Sequence, residues 1–301
     1  MALKVAVAGA TGTLGPYLVQ GLVGAGIDVT VLSRQASVSG LPAAVTVRQV
    51  DYDSVESLTA ALQGQDAVVS VVAQTAVLKQ KALIDAAVAA GVKRFFPAEF
   101  GVDTLNPKVR ALPIKAHKVE IQNYLAEVSA KTDLTYTILL NGPFLDAYIA
   151  QDFLLGYAGL KSRRVTLFDG GDVAFSATTV PHIIQSVISI LHHLEETENR
   201  AVYVEDITLT QNQILRLAQE LTPGETWTTV PVSTAEIAAT AYEALGREGM
   251  TEKVAIDFIL VAVWGQGMSG KFAKTDNELL GITPLTEEDV KAMIKKALDS
   301  F

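Results

Sequence analysis

Gly9-Ala10-Thr11-Gly12-Thr13-Leu14-Gly15 follows the apolar run Val5-Ala6-Val7-Ala8 and leads into Pro16-Tyr17-Leu18-Val19-Gln20-Gly21-Leu22, whose apolar residues recur at helical spacing. Glycine spacing alone says little, but between a strand and a helix it describes a turn that accepts phosphate. In that context Gly9 permits a tight turn, Gly12 lets main-chain N–H groups approach a pyrophosphate, and Gly15 lets helix and sheet pack closely. The start of the helix adds partial positive charge and unpaired donors.

Outward from this turn, short β-branched runs alternate with Ala-rich stretches, the pattern of parallel strands buried on both faces and joined by crossover helices. Strands are predicted over 3–8, 28–32, 45–50, 67–72, 94–97 and 134–140, and helices over 15–24, 54–63, 78–90 and 117–129. The fold class is therefore α/β, a doubly wound parallel-sheet Rossmann domain. After Phe144 the alternation loosens. A hairpin-like turn at Phe168-Asp169-Gly170-Gly171-Asp172, a helix over 181–193 and a strand over 201–204 precede helices over 211–220, 234–245, 253–264 and 287–298. The predicted organisation is a dinucleotide-binding domain over 1–150, to which residues of about 175–205 return, and a smaller, mostly helical substrate-binding region over 151–301.

Composition narrows the function. Across 301 residues, 24 Lys and Arg against 33 Asp and Glu leave a net charge of −9, which disfavours nucleic acid and anionic lipid as partners. Cysteine is absent, so disulfides, thiolate metal sites and cysteine nucleophiles are excluded. The longest strongly apolar window, near Phe258 to Trp264, falls far short of the ~20 residues of a membrane span. The start of the chain lacks a signal-peptide pattern, and a cytoplasmic location is expected. No metal-ligand spacing is found, and the oligomeric state is left open.

The second predicted strand decides which dinucleotide enters. A site for NAD ends this strand with Asp or Glu, some twenty residues beyond the first glycine. Here it ends Val31-Leu32-Ser33-Arg34, with no carboxylate and with a guanidinium suited to a ribose 2′-phosphate. NADP(H) is the expected cofactor. Further walls are expected from the fourth strand's end, at Val72, Ala73 and Gln74, because ligands of open α/β sheets lie beyond the carboxyl ends of the strands. Asp51 is open between facing the adenine and capping the helix that follows Ser54.

The fifth strand, Val92-Lys93-Arg94-Phe95-Phe96-Pro97-Ala98-Glu99-Phe100-Gly101, closely resembles the KRF-x-P-S-E-F-G segment of the isoflavone reductase-like, NmrA-like branch of atypical short-chain dehydrogenases. The glycine turn, Arg34 and the turn Asn141-Gly142-Pro143-Phe144 are similar too. The resemblance covers the first half strongly, and the second half mainly in its order of elements. It implies that Pro97, Glu99, Phe100, Asn141, Gly142 and Phe144 join Gly9 through Gly15 around the cofactor. Ala98 stands where many relatives carry Ser, so no role for that hydroxyl applies here.

Ordinary short-chain dehydrogenases carry Tyr-x-x-x-Lys before the sixth strand. Lys118 lies where that lysine falls, but Ile114 occupies the tyrosine position. A literal match, Tyr157-x-x-x-Lys161, comes too late in the chain. The resemblance to isoflavone and phenylcoumaran benzylic ether reductases implies Lys118 as catalytic residue and a further cofactor contact, with Lys115 and His117 as neighbours. His182, His192 and His193 read as structural.

The function implied is an NADPH-dependent reductase of secondary metabolism. It transfers hydride to a small apolar or aromatic carbonyl, enone, imine or benzylic ether, with Lys118 as general acid/base. The alternative is a redox-sensing regulator of NmrA type that binds NADP(H) without turnover.

Overall fold

Val5, Ala6, Val7 and Ala8 are completely buried, as a strand covered by helices on both faces must be. In the computed structural model, which describes residues 2–268 and 270–301, this run forms β1 (Lys4–Ala8). It is followed by α1 (Gly15–Gly24), β2 (Asp28–Ser33), β3 (Thr46–Gln49), α2 (Val55–Leu62), β4 (Ala67–Ser70), α3 (Gln80–Ala89), β5 (Arg94–Phe96), α4 (Pro107–Arg110), α5 (Ala116–Ser129) and β6 (Thr135–Leu140). Then come α6 (Leu145–Ala150), α7 (Gly159–Ser162), β7 (Arg164–Phe168), β8 (Phe175–Ala177), α8 (Val180–His192), β9 (Arg200–Tyr203), β10 (Ile207–Leu209) and α9 (Gln211–Leu221). The chain ends with β11 (Thr228–Val232), α10 (Thr234–Glu248), α11 (Glu252–Trp264), α12 (Asn277–Leu280) and α13 (Glu287–Leu298).

Contacts divide the chain into two compact units, one of Met1–Phe100, His117–Leu140 and Pro181–Val202, the other of Gly101–Ala116, Asn141–Val180 and Tyr203–Phe301. The first holds the seven-stranded sheet, in the order β3-β2-β1-β4-β5-β6-β9. Pairing is parallel from β3 through β6. Strand order reverses between β1 and β4, which opens a crevice at their carboxyl ends. Leu32, Val68, Leu83, Ile84, Phe95, Ile121 and Leu125 belong to one buried cluster beneath it. β3 is the exposed edge.

Arg94 is the one guanidinium in this core and is 2% exposed. Its Nε donates to Thr135 Oγ1 (2.8 Å), its Nη1 to Thr137 Oγ1 (2.6 Å) and Thr197 Oγ1 (3.0 Å), and its Nη2 to the Leu194 carbonyl (2.5 Å). Burial lowers its pKa to about 10, against the opposing pull of the Glu198 charge. One side chain thus ties β5 and β6 to the segment that follows α8.

The second unit is mostly helical with two small sheets. The glycine-rich turn after Phe168 is present, with Gly170 at φ +84°, but it does not make a hairpin. β7 pairs in parallel with β11, and β8 pairs antiparallel with β10. A hairpin requires the flanking strands to face each other, and here each finds a partner elsewhere in the chain. Thr210 with Gln213 and Thr286 with Asp289 form reciprocal capping boxes at the starts of α9 and α13. No helix is long and apolar enough to cross a membrane among the described residues.

Replacing Arg94 by Met keeps the bulk of the stem and removes every donor. We expect a loss of about 2–4 kcal/mol in urea unfolding with an unchanged m-value; a loss below about 1 kcal/mol would show that the buried guanidinium is not holding this corner.

Candidate active site

A cleft of about 1260 Å³ opens at the carboxyl ends of β1 to β4, all within the first unit. Gly9 to Gly12 form its floor, Val31 to Gln35 with Val38 one side, Gln49 to Asp53 with Ser57 another, and Val71 to Ala73 with Thr75, Ala76 and Lys79 the remainder. The three glycines of the turn have different reasons to be glycine. Gly9 sits at φ +90°, and a Cβ there would lie 2.6 Å from the Val71 carbonyl group. At Gly15 a Cβ would lie 2.4 Å from the Gly9 carbonyl oxygen. At Gly12 it would meet only ordinary contacts, the nearest 3.4 Å away, and its φ is not left-handed. The protein's own packing therefore does not require glycine at 12, whose main chain is exposed and lines the cleft.

The helix behind this turn begins without a side-chain cap, as α3 and α6 also do. α2, α9, α10, α11 and α13 are each capped by a Ser or Thr side chain. α1 starts from Leu14 with no side-chain cap and with Pro16 in its first turn. Its first N–H groups and the positive end of its dipole are left for something other than a side chain.

On the rim, Ser33 Oγ accepts from the Gln35 N–H (3.0 Å), and Gln49 Nε2 donates to the Arg34 carbonyl (3.2 Å). These bonds fix the backbone that carries the exposed Arg34 side chain. Tyr52 donates from its hydroxyl to the Leu32 carbonyl (3.0 Å), and burial pushes its phenol up to about 12 while Arg34 pulls the other way. Asp51 lines the cleft but does not cap α2: Ser54 does, accepting from the Ser57 N–H (3.1 Å). Asp51 Oδ1 instead accepts from the Asp53 N–H (2.9 Å), an Asx turn. Asp53 pairs with Lys79 on the cleft wall.

The segment after β5 is held from several sides. The Ala98 N–H donates to Gln80 Oε1 (2.9 Å) and the Phe100 N–H to the Leu139 carbonyl (3.1 Å). Phe100 adopts φ +37°, rare for a residue with a side chain. Lys118, on α5, donates from Nζ to the Glu99 carbonyl oxygen (2.7 Å) and stands 3.7 Å from Glu99 Oε2. Gln122 Nε2 donates to the other carboxylate oxygen, Oε1 (2.8 Å). Lys115 is buried and grouped with the second unit, and His117 is exposed.

Of the residues singled out in the sequence, Gly9, Ala10, Thr11, Gly12, Arg34, Val72 and Ala73 come together as cleft lining. Thr13 is exposed on the same turn, Leu14 and Gly15 are buried beneath it, and Gln74 begins a short 3₁₀ turn; these do not line the cleft. Pro97, Glu99, Phe100 and Lys118 form the separate cluster just described. Asn141, Gly142 and Phe144 fall in the second unit. There the Asn141 and Gly142 N–H groups donate to the Gly101 carbonyl (3.1 and 2.9 Å), and Phe144 stacks on Tyr148 at 5.9 Å.

The Tyr157/Lys161 pair makes no dyad in the structure. Tyr157 is 66% exposed, and the Lys161 ammonium lies over the Phe301 ring. No cluster able to hold a metal is found among the described residues. Sequence reasoning missed Tyr52, Gln80 and Gln122. Both glutamines are buried.

Comparison with known proteins gives four findings. Residues 1–254 match the model of the NmrA-like family. The oxidoreductase aprR of Aspergillus flavus is 34% identical over 302 residues, covering 98% of this chain and 100% of its own. Among solved structures, AtPrR2 with NADP+ and (+)pinoresinol superimposes with a TM-score of 0.78 at 21% identity, covering 99% of both chains. Leucoanthocyanidin reductase with NADPH, from Vitis vinifera, gives 0.77 at 18% identity over 98% of this chain and 99% of that one. At these identities the two superpositions speak for the fold.

The different reasons for the glycines separate by substitution. Gly9→Ala should cost more than about 2 kcal/mol of stability, through left-handed strain and the clash with β4's end. Gly12→Ala should fall within about 1 kcal/mol of wild type. Urea unfolding of both checks this, and equal losses would refute the distinction.

Proposed function

The chain belongs to the NmrA-like family, and from that premise we propose that it is an NADPH-dependent reductase acting on a small apolar or aromatic molecule. The observation that carries the reading is the exposed main chain at Gly12, whose own N–H closes the turn onto the Gly9 carbonyl (3.0 Å), before a helix whose first N–H groups have no side-chain cap. It is a cradle that packing does not explain and that a diphosphate fits by charge and by donors. Gly9 to Gly12, backed by α1, would hold the pyrophosphate. Arg34 would grip the 2′-phosphate, since no carboxylate at the end of β2 is present to favour an unphosphorylated ribose. Tyr52, Val72 and Ala73 would wall the nucleotide, and Thr13, Leu14 and Gly15 would shape the turn. Pro97, Glu99, Phe100, Asn141, Gly142 and Phe144 are proposed as further cofactor contacts on the family resemblance. The names of the relatives, an oxidoreductase and two chains with NADP+ or NADPH, support the same cofactor.

When bound, NADPH supplies hydride. The chain's own part is to orient the nucleotide and to move a proton, and Lys118 is the proposed group for that proton. The side chain of Lys118 is 14% exposed, sheltered yet reachable, and only one hydrogen bond from its ammonium is formed within the protein. It can therefore give a proton to an oxygen, nitrogen or carbon that gains electrons. Substrates that match are carbonyls, enones, imines and benzylic ethers. Residues 151–301 are proposed as the substrate-binding region, with 1–150 and about 175–205 serving the cofactor.

The test uses NADPH oxidation with four probes: cinnamaldehyde, 1,4-naphthoquinone, 3,4-dihydroisoquinoline and benzyl phenyl ether. Wild type should reduce at least one, and Lys118→Ala should lose at least 100-fold in kcat while still binding NADPH, in the range of a lost general acid (~10²–10⁴-fold). Full activity in that variant overturns the role of Lys118. Tight NADPH binding with no turnover of any probe would favour a redox-sensing regulator instead.

A second measurement addresses the cofactor alone. One charge-assisted hydrogen bond is worth ~1.5–3 kcal/mol, so Arg34→Ala should lower the NADPH over NADH preference roughly 10- to 150-fold. An unchanged ratio by calorimetry would remove Arg34 from the phosphate site.

A further inference from the structure

We propose that Glu99 is a positioning residue for Lys118: its buried carboxylate and its own carbonyl together fix the ammonium at one point beside the end of β5. The catalytic half of this inference rests on the reductase reading above, while the positioning half rests on the geometry.

The lysines elsewhere on this side of the first unit show what an ordinary pair looks like. Lys81 with Glu120 and Lys131 with Glu127 join side chains that are 42–67% exposed, where water and salt screen the attraction. Lys118 and Glu99 differ in that their side chains are 14% and 2% exposed. A carboxylate is not buried to that degree without compensation. Gln122 supplies a donor to Oε1 at 2.8 Å, which leaves Oε2 turned toward the lysine at 3.7 Å. That distance is attraction by charge without a shared hydrogen, so the carboxylate steers the ammonium without occupying one of its N–H groups. The bond that is made, 2.7 Å to the Glu99 carbonyl, uses one of the three donors of an ammonium.

Both oxygens come from one residue because the chain turns sharply there. Phe100, immediately after, holds φ +37°, and its N–H is fixed to the Leu139 carbonyl while Ala98 is fixed to Gln80. A side chain kept in the left-handed region persists only where the surroundings over-determine it, and such positions gather at functional sites. Gln80 and Gln122 are each buried, and each spends a hydrogen bond on this turn. The turn is thus built from α3, α5 and β6 to present one residue's carbonyl and carboxylate to one ammonium.

Glu99→Gln keeps the shape and removes the charge. The first readout needs no cofactor. In protein labelled with 13C-lysine, a fixed Lys118 should show two distinct Hε resonances, assigned by their disappearance in Lys118→Arg, and Glu99→Gln should merge them. The second readout is kinetic. With NADPH and whichever of the four probes wild type reduces fastest, kcat should fall at least 10-fold, with the KM for the probe within twofold of wild type. Retention of the split resonances in Glu99→Gln, or their loss with kcat within twofold of wild type, overturns the proposal. If wild type reduces none of the probes, the reductase reading fails, and the resonance measurement alone still decides whether Glu99 holds Lys118. Should Glu99→Gln not fold, Gln122→Met carries the same readouts. It leaves the charge but frees the carboxylate, and merged resonances with at least a threefold lower kcat are expected, whereas wild-type behaviour in both overturns the proposal.

Discussion

The close approach of the Gly9 main chain to the end of β4 is the constraint on which the rest of the first unit depends. A Cβ at Gly9 would sit 2.6 Å from Val71, so the strand that starts the sheet and the strand beside it can diverge at their carboxyl ends only if residue 9 has no side chain. That approach lies where the strand order reverses and the crevice opens. Gly15 closes the same turn from the other side, against the Gly9 carbonyl. Only Gly12 stands outside this packing, although it lines the cleft beside Gly9.

Charge is arranged with the same economy. The protein as a whole carries −9, yet the exposed end of β2 presents Arg34 to the cleft, with the positive end of α1 at its floor. In a molecule of net negative charge such a positive field is local. Bonds to the main chain at Ser33 and Gln49, rather than an ion pair, fix where the guanidinium starts, leaving it to meet a ligand.

Much of the first unit was legible in the sequence because its signals are local. α1 begins and ends where the glycines and apolar spacing put it, at Gly15–Gly24, and β1, β2, β5 and β6 lie within a residue of their predicted bounds. β4 stops at Ser70, two residues early, because the chain must leave the sheet to wall the cleft with Val71 to Ala73. The second unit was harder to read. β7, β8, β10 and β11 are three to five residues long, too short for a period to show, and β7 finds its partner more than fifty residues later. Pro231 lies inside β11, where it is tolerated because this is an edge. In the site, Asp51 was open between facing the adenine and capping α2, and it is the extended backbone at Ser54 that puts the cap there instead. Gln80 and Gln122 act through distant partners, so nothing in their neighbouring sequence announces the turn they support.

The four bonds from Arg94 bear on how this protein moves. They join β5 to β6 and to the backbone around Leu194, and Lys118 and Glu99 meet just beyond the end of that strand. A corner laced in this way makes a poor hinge. Movement is left to exposed stretches without such buried ties. The ammonium of Lys118 and the carboxylate of Glu99 thus stand against an unyielding buttress.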